Sequence, residues 1–135
     1  MKTSYYARPN IHLETNLVSI SCSLSTWIKE TFIGKNFKHY RKLAPDYFTM
    51  VLPYKCGEID IAEYTTRYQQ ILDKLDPHEV YKELGEDATL LCYEKPDDFC
   101  HRHLVAKWLR EAGYDIQEYE YIKPVPPAVA DEWIF

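Results

Sequence analysis

Hydrophobic positions follow two different periods along this chain. Residues 17–22, Leu17-Val18-Ser19-Ile20-Ser21-Cys22, are apolar and β-branched, which predicts a buried strand. Residues 88–94, Ala88-Thr89-Leu90-Leu91-Cys92-Tyr93-Glu94, are apolar on both faces, as in a central strand covered on both sides. Between them Ile61, Tyr64, Tyr68, Ile71, Leu72 and Leu75 share one helical face. Asp60 with Glu63 resembles a capping box at the start of that helix, and Glu63 and Arg67 lie one turn apart on its exposed side. Leu104, Val105, Trp108, Leu109 and Ala112 form the apolar stripe of a last helix that ends at Gly113.

Weaker signals fill the gaps. Residues 3–7 are β-prone and stop at the turn signal Arg8-Pro9-Asn10. Residues 25–30 predict a short helix. Pro45 is expected to open another as its first residue, running through Tyr47, Phe48, Val51 and Leu52 to the stop at Lys55-Cys56-Gly57. Asp76-Pro77 starts a helix that ends at Gly85, and residues 114–122 alternate as a third or edge strand. Residues 29–42 read as a loop or mobile flap. Pro124, Pro126 and Pro127 end regular structure, and the tail 124–135 is expected to dock on its own domain. The order predicts a single α/β domain over residues 1–135, with a mostly parallel sheet flanked by helices. Ligands of such sheets sit beyond the carboxyl ends of the strands. Here that means Ser21-Cys22 after one core strand and residues 94–102 after the other.

Composition narrows the partners. The 135 residues are 46% hydrophobic and 27% charged, a globular balance with no run long enough to cross a bilayer. The formal charge of -5 argues against duplex DNA held by overall charge. The acids Glu111, Asp115, Glu118, Glu120, Asp131 and Glu132 face only Lys123, and would repel polyanions. Aromatic residues reach 15%, with 12 Tyr, which suits core packing and also the walls of a ligand cleft. The first residues lack the apolar stretch of an export signal. A cytoplasmic setting is therefore expected, with Cys22, Cys56, Cys92 and Cys100 as reduced thiols.

The segment LLCYEKPDDFCHRHL, residues 90–104, carries the most chemistry. A strand gives way to a loop, and a helix begins near Cys100-His101-Arg102. A helix start has unpaired N–H groups and a partial positive charge, so Arg102 there asks for an anion such as phosphate, pyrophosphate or carboxylate. Asp97 and Asp98 offer a plainer answer, as caps that neutralise Arg102. Cys100 is either a thiol activated by the helix start or simple packing on the apolar face. His101 suits acid or base work, with Glu94 as its carboxylate partner. Cys92, Cys100 and His101, with Glu94 or Cys22, match none of the usual zinc spacings, so no metal is expected. No phosphate loop, GxGxxG or HExxH occurs, and no cofactor is expected. His12, His39, His78 and His103 read as surface or capping residues, with His103 a possible addition to the site.

LLCYEKPDDFCHRHLVAKWL resembles the signature of domain-of-unknown-function family 488, in which a strand and an acidic residue precede Cys-His-Arg at a helix start. The resemblance extends to NLVSIS, KLAPDY and YKCGEIDIAEYTTRYQQILDKLDP, and so covers most of the chain. It implies an α/β fold and a site at Glu94, Cys100, His101 and Arg102, with Tyr64 and Tyr68 as walls. It implies no reaction. One departure stands out. The family pattern tends to place an arginine after VSIS, where this chain has Cys22. Cys22 then takes another role, or the basic segment 35–42 supplies the charge. A Cys22–Cys100 disulfide is disfavoured by a reducing compartment.

Three functions compete. The first is an enzyme acting on a phosphorylated or nucleotide-like small molecule. Cys100, His101 and Glu94 would be catalytic, while Arg102, Ser21, Cys22, Tyr64 and Tyr68 bind. The second is a non-catalytic binder of a nucleotide or other anion. The third is weak contact with single-stranded nucleic acid through Phe32, Lys35, Phe37, Lys38, Tyr40, Arg41 and Lys42, where basic and aromatic residues interleave.

Overall fold

In the computed structural model, residues 1–119 are described. Five strands form one sheet in the order β3-β2-β4-β1-β5, and every neighbouring pair is parallel. They are β1 (Lys2–Tyr5), β2 (Leu17–Ser19), β3 (Phe37–His39), β4 (Thr89–Cys92) and β5 (Gln117–Glu118). The connecting helices are α1 (Thr26–Thr31), α2 (Leu52–Lys55), α3 (Ile61–Leu72), α4 (Pro77–Leu84) and α5 (His101–Glu111). The α/β class and the parallel sheet flanked by helices are as the pattern predicts. β4 occupies the centre and is buried along its whole length, which is why it needs apolar residues on both faces.

The register explains the two cores. Val18 lies beside Leu90, and Ser19 beside Leu91. Val18, Ile20 and Leu90 pack with Tyr64, Tyr68, Val80, Val105 and Leu109 from α3, α4 and α5. Leu17 and Leu91 pack on the opposite face with Tyr6, Ile28 and Phe32. Strand side chains alternate, so neighbours on one strand serve different cores.

The caps hold. Asp60 accepts from the Glu63 N–H (2.8 Å) at the start of α3, and Asp76 from the His78 N–H (2.9 Å) at the start of α4. Gly85 ends α4 at φ 96°, where an added Cβ would sit 3.0 Å from Asp87 Oδ1. Glycine suits that position, because an L side chain is strained at that φ and would crowd the Asp87 carboxylate.

Three local expectations need correction. Residues 29–42 are not a flap. They contain the end of α1 and the edge strand β3, because Phe32 is buried and stacks on Phe37 at 4.9 Å. Pro45 does not begin a helix: Asp46 accepts from the Thr49 N–H, and a π turn over Tyr47–Val51 leads into α2. Ile61, at the first position of α3, is 49% exposed, whereas Tyr64, Tyr68 and Leu72 further along the helix are buried in the core. β5 lies within the strand expected at 114–122, whose last residues lie outside the described part, as does the tail 124–135. Among the described residues no helix is long and apolar enough to cross a membrane.

Candidate active site

A cleft of about 170 Å³ opens at the carboxyl ends of β2 and β4, where the topology of a parallel sheet predicts it. Ser21 and Cys22 follow β2 and form one side. Cys92 ends β4 and Glu94 follows it, Cys100 caps α5 and His101 is its first residue. Tyr54 from α2, Tyr64 from α3 and Phe99 from the loop before α5 form an aromatic wall, with rings 5.0–5.5 Å apart and mutually tilted. Lys55 lies at the margin. Of the expected site residues, Ser21, Cys22, Tyr64, Glu94, Cys100 and His101 therefore meet in one place. The volume is below the ~300–1,000 Å³ of drug-sized sites. It suits a single ring or head group.

His101 is held by geometry. Its Nε2 lies 2.6 Å from the Ile20 carbonyl, which can only accept, so Nε2 carries the proton. Nδ1 keeps its lone pair and lies 3.9 Å from Cys100 Sγ. The Tyr68 ring meets the imidazole edge-on at 5.4 Å. Burial pushes the His101 pKa down to about 4; the Ile20 hydrogen bond opposes this, and the charges of Arg102 and His103 add to it. The imidazole is thus neutral near pH 7. Burial, and next the Glu94 carboxylate, push the Tyr64 hydroxyl well above its ordinary range, so it stays uncharged near pH 7.

Ser21 belongs to a buried hydroxyl chain. Tyr6 Oη lies 2.7 Å from Ser21 Oγ and 2.5 Å from Ser19 Oγ. Desolvation raises the Tyr6 pKa to about 12, although both hydroxyls pull it down. On the other side, His39 Nε2 lies 2.6 Å from the Ser21 carbonyl and anchors the same turn. The sequence reading missed Tyr6 in this role and took His39 for a surface or capping residue. No spacing announces either one, because Tyr6 follows β1, two strands away from β2 in the sheet, and His39 ends β3, so both reach the Ser21 turn only in the fold. Phe99 and Tyr54 were also missed. Phe99 directly precedes Cys100, which was a usable signal.

Arg102 departs most from expectation. It is fully buried and does not line the cleft. Its Nε and Nη2 donate to the two carboxylate oxygens of Glu118 at 3.2 and 2.9 Å. Nη1 donates to the Glu94 carbonyl at 2.6 Å and to Cys92 Sγ at 2.9 Å. Thr3 donates to the same Glu118 at 2.7 Å. The guanidinium that was expected to clamp a ligand is instead occupied by an internal acid, a carbonyl and a sulfur. Asp97 and Asp98 play no part in this, and the N-cap of α5 is Cys100, without a side-chain cap bond. Tyr68 also stands behind the wall, fully buried, its hydroxyl donating to the Leu43 carbonyl at 2.5 Å. His103 lies outside the cleft, and its Nε2 is buried without a partner.

The cysteines need correction as well. Cys92 and Cys100 are joined as a disulfide, while Cys22 and Cys56 are free. The strand end and the helix start face each other across a tight loop, so Cys100 pairs with Cys92 and not with Cys22. Phe32 and Phe37 are stacked inward, so the interleaved basic segment does not present them as platforms for bases. Lys42 from the same segment pairs with Glu83 at 3.1 Å.

A family model described as "DUF488-N3a: Active DUF488-N3 subclade" matches residues 32–113, more than half of the chain. The match takes in α2, α3, α4, β4 and α5, and with them the aromatic wall and the Cys-His-Arg block. No curated protein and no solved structure matches the chain.

Proposed function

The chain belongs to the DUF488 family, and from that premise we propose that it is an enzyme acting on a phosphorylated or nucleotide-like small molecule at the ends of β2 and β4. One observation carries the reading: Cys100, His101, Glu94 and Ser21 converge on one aromatic-walled cleft. The description of the matched subclade as active supports an intact reaction site. A base or other flat ring fits against Tyr54, Tyr64 and Phe99. With Arg102 turned away, the attraction for an anion falls to Lys55 and to the free N–H groups at the start of α5. The cleft takes the ring or the phosphate, and the remainder of a nucleotide extends through its mouth.

The chemistry requires the reduced chain. Cys100 Sγ passes its proton to His101 Nδ1 and forms a bond to the electrophilic atom of the substrate. The bond to the leaving group breaks with its electron pair on that group, and the proton on Nδ1 neutralises it. Water then attacks the thiol-bound intermediate, Glu94 accepts its proton, the sulfur leaves as a thiolate, and the proton held by Glu94 passes back to Sγ to restore the thiol. A cytoplasmic setting belongs to this reading, because its thiol pools keep such a pair reduced.

The disulfide favours a second reading. Oxidised, the chain retains the walls and lacks a nucleophile, and acts as a non-catalytic binder of the same ligands. A panel of nucleotides and sugar phosphates, incubated with reduced and with oxidised chain, separates the two. Product by mass spectrometry from the reduced chain alone, lost in Cys100→Ser, supports the enzyme. Thermal stabilisation without product in either state supports the binder. Neither product nor stabilisation across the panel overturns both.

A further inference from the structure

Among the described residues, Cys92, Cys100 and His101 offer ligand atoms that all lie within 4.8 Å of one another, and all three are buried. Their spacing along the chain resembles no zinc pattern, because the convergence is made by a strand end meeting a helix start. We propose that the reduced chain holds one thiophilic divalent cation of the zinc class on Cys92 Sγ, Cys100 Sγ and His101 Nδ1, with the fourth position open to the cleft.

The donor chemistry suits that cation: two sulfurs and one imidazole nitrogen select zinc over oxygen-loving ions. The second shell is already in place. The Ile20 carbonyl accepts from His101 Nε2, which leaves Nδ1 as the ligating atom and fixes the ring. Arg102 Nη1 lies 2.9 Å from Cys92 Sγ and balances the charge of a thiolate there. All three residues also line the cleft, so a bound cation reaches its contents. Three protein ligands with one open position is the pattern of reactive zinc sites, whereas structural sites are closed by a fourth.

Metal and disulfide exclude one another. A dithiol reductant opens the Cys92–Cys100 bond by taking up its own disulfide and delivering two protons and two electrons. The cation then displaces the two thiol protons. Because it also takes Cys100 Sγ, the loaded form is withheld from the thiol chemistry proposed above. The site itself rests on the geometry of the three ligands and stands whether or not that chemistry occurs.

The test is titration of the full reduced chain with Co2+ under anaerobic conditions, followed by competition with Zn2+. One equivalent should give the visible bands of tetrahedral cobalt and an intense thiolate-to-cobalt charge-transfer band, both abolished by Zn2+. The oxidised chain should give neither. Cys92→Ser and Cys100→Ser should each weaken binding by more than the roughly 10- to 100-fold that a second-shell substitution costs. Cys22→Ser and Cys56→Ser should leave it unchanged. Because His101 is buried, its variant can fail for reasons of folding, so alkylation of the wild-type chain gives a second reading. Equimolar Zn2+ should protect Cys92 and Cys100 and leave Cys56 reactive. Absence of tetrahedral bands at one equivalent, their survival in both serine variants, or protection centred on Cys22 or Cys56 overturns the site. Loss of metal binding with turnover intact removes this inference alone, and turnover absent with metal binding intact removes only the proposed reaction.

Discussion

His101 and Arg102 are consecutive residues with opposite fates. His101 faces the cleft, is neutral, and presents a free lone pair at Nδ1. Arg102, about 100° further round the same first turn, faces β1 and β5 and is bound to Glu118. Both are buried, and both are polar. The first keeps one unspent hydrogen-bonding atom, whereas the second spends at least four of its five donors internally. Chemistry near a ligand needs an atom that the fold has left free. Arg102 instead ties the loop after β4, the start of α5 and β5 into one piece.

This difference can be broken from the Arg102 side with the largest effect. Arg102→Ala leaves Glu118 facing a partly buried gap and should cost about 3–5 kcal/mol of unfolding free energy. A double-mutant cycle with Glu118→Gln should show strong coupling. If Arg102→Ala changes denaturant stability by less than about 1 kcal/mol yet removes ligand binding, the guanidinium does face the ligand and the comparison fails.

Next in size is the cysteine pair. The two residues are eight positions apart, so by chain entropy reduction should lower stability by roughly 2.5 kcal/mol. Cys100→Ser should match the reduced wild type within about 1 kcal/mol, and it should lose turnover altogether. Equal stability of oxidised chain, reduced chain and Cys100→Ser would show that the pair does not form in solution.

Ser21→Ala probes the cleft from β2. Tyr6 keeps Ser19 as a partner, so the expected loss is about 0.5–1.5 kcal/mol by thermal melting. The loss in turnover or affinity should exceed that if Ser21 touches the ligand.

The smallest effect concerns pH and the cap of the turn that leads into α2. The Thr49 N–H holds the Asp46 carboxyl below its ordinary range. A lowered acid stabilises the fold above its unfolded pKa and loses that contribution as pH falls through the folded value. Melting curves from pH 6 to pH 2 should therefore decline slightly less steeply for Asp46→Ala than for wild type. An identical slope would mean that the cap does not form.

Much of this was legible beforehand, for reasons that are local. Asp60 and Asp76 cap the helices they precede, because an N-cap bond spans only two or three residues. β4 announced itself as central because only a strand covered on both faces stays apolar throughout. The location of the cleft followed from parallel topology, and Tyr64, Cys100 and His101 were found with it. Tyr6, His39 and Glu118 were not found, since each acts on a residue many positions away. Arg102 was misread for the same reason. A helix start asks for an anion, and nothing nearby in the chain shows that Glu118, from an edge strand, already supplies one.

The sequence by itself determined most of the longer elements, the parallel sheet and the corner where a cleft opens, since periodicity, caps and β-branching act over a few residues. Tertiary structure decided which polar groups remain available there. That depends on how the turn of α5 is rotated against β1, β4 and β5, and on which distant donor or acceptor the fold brings beside each group. It left His101 neutral with Nδ1 unspent, made Arg102 a buried tie, and made Cys92 the partner of Cys100.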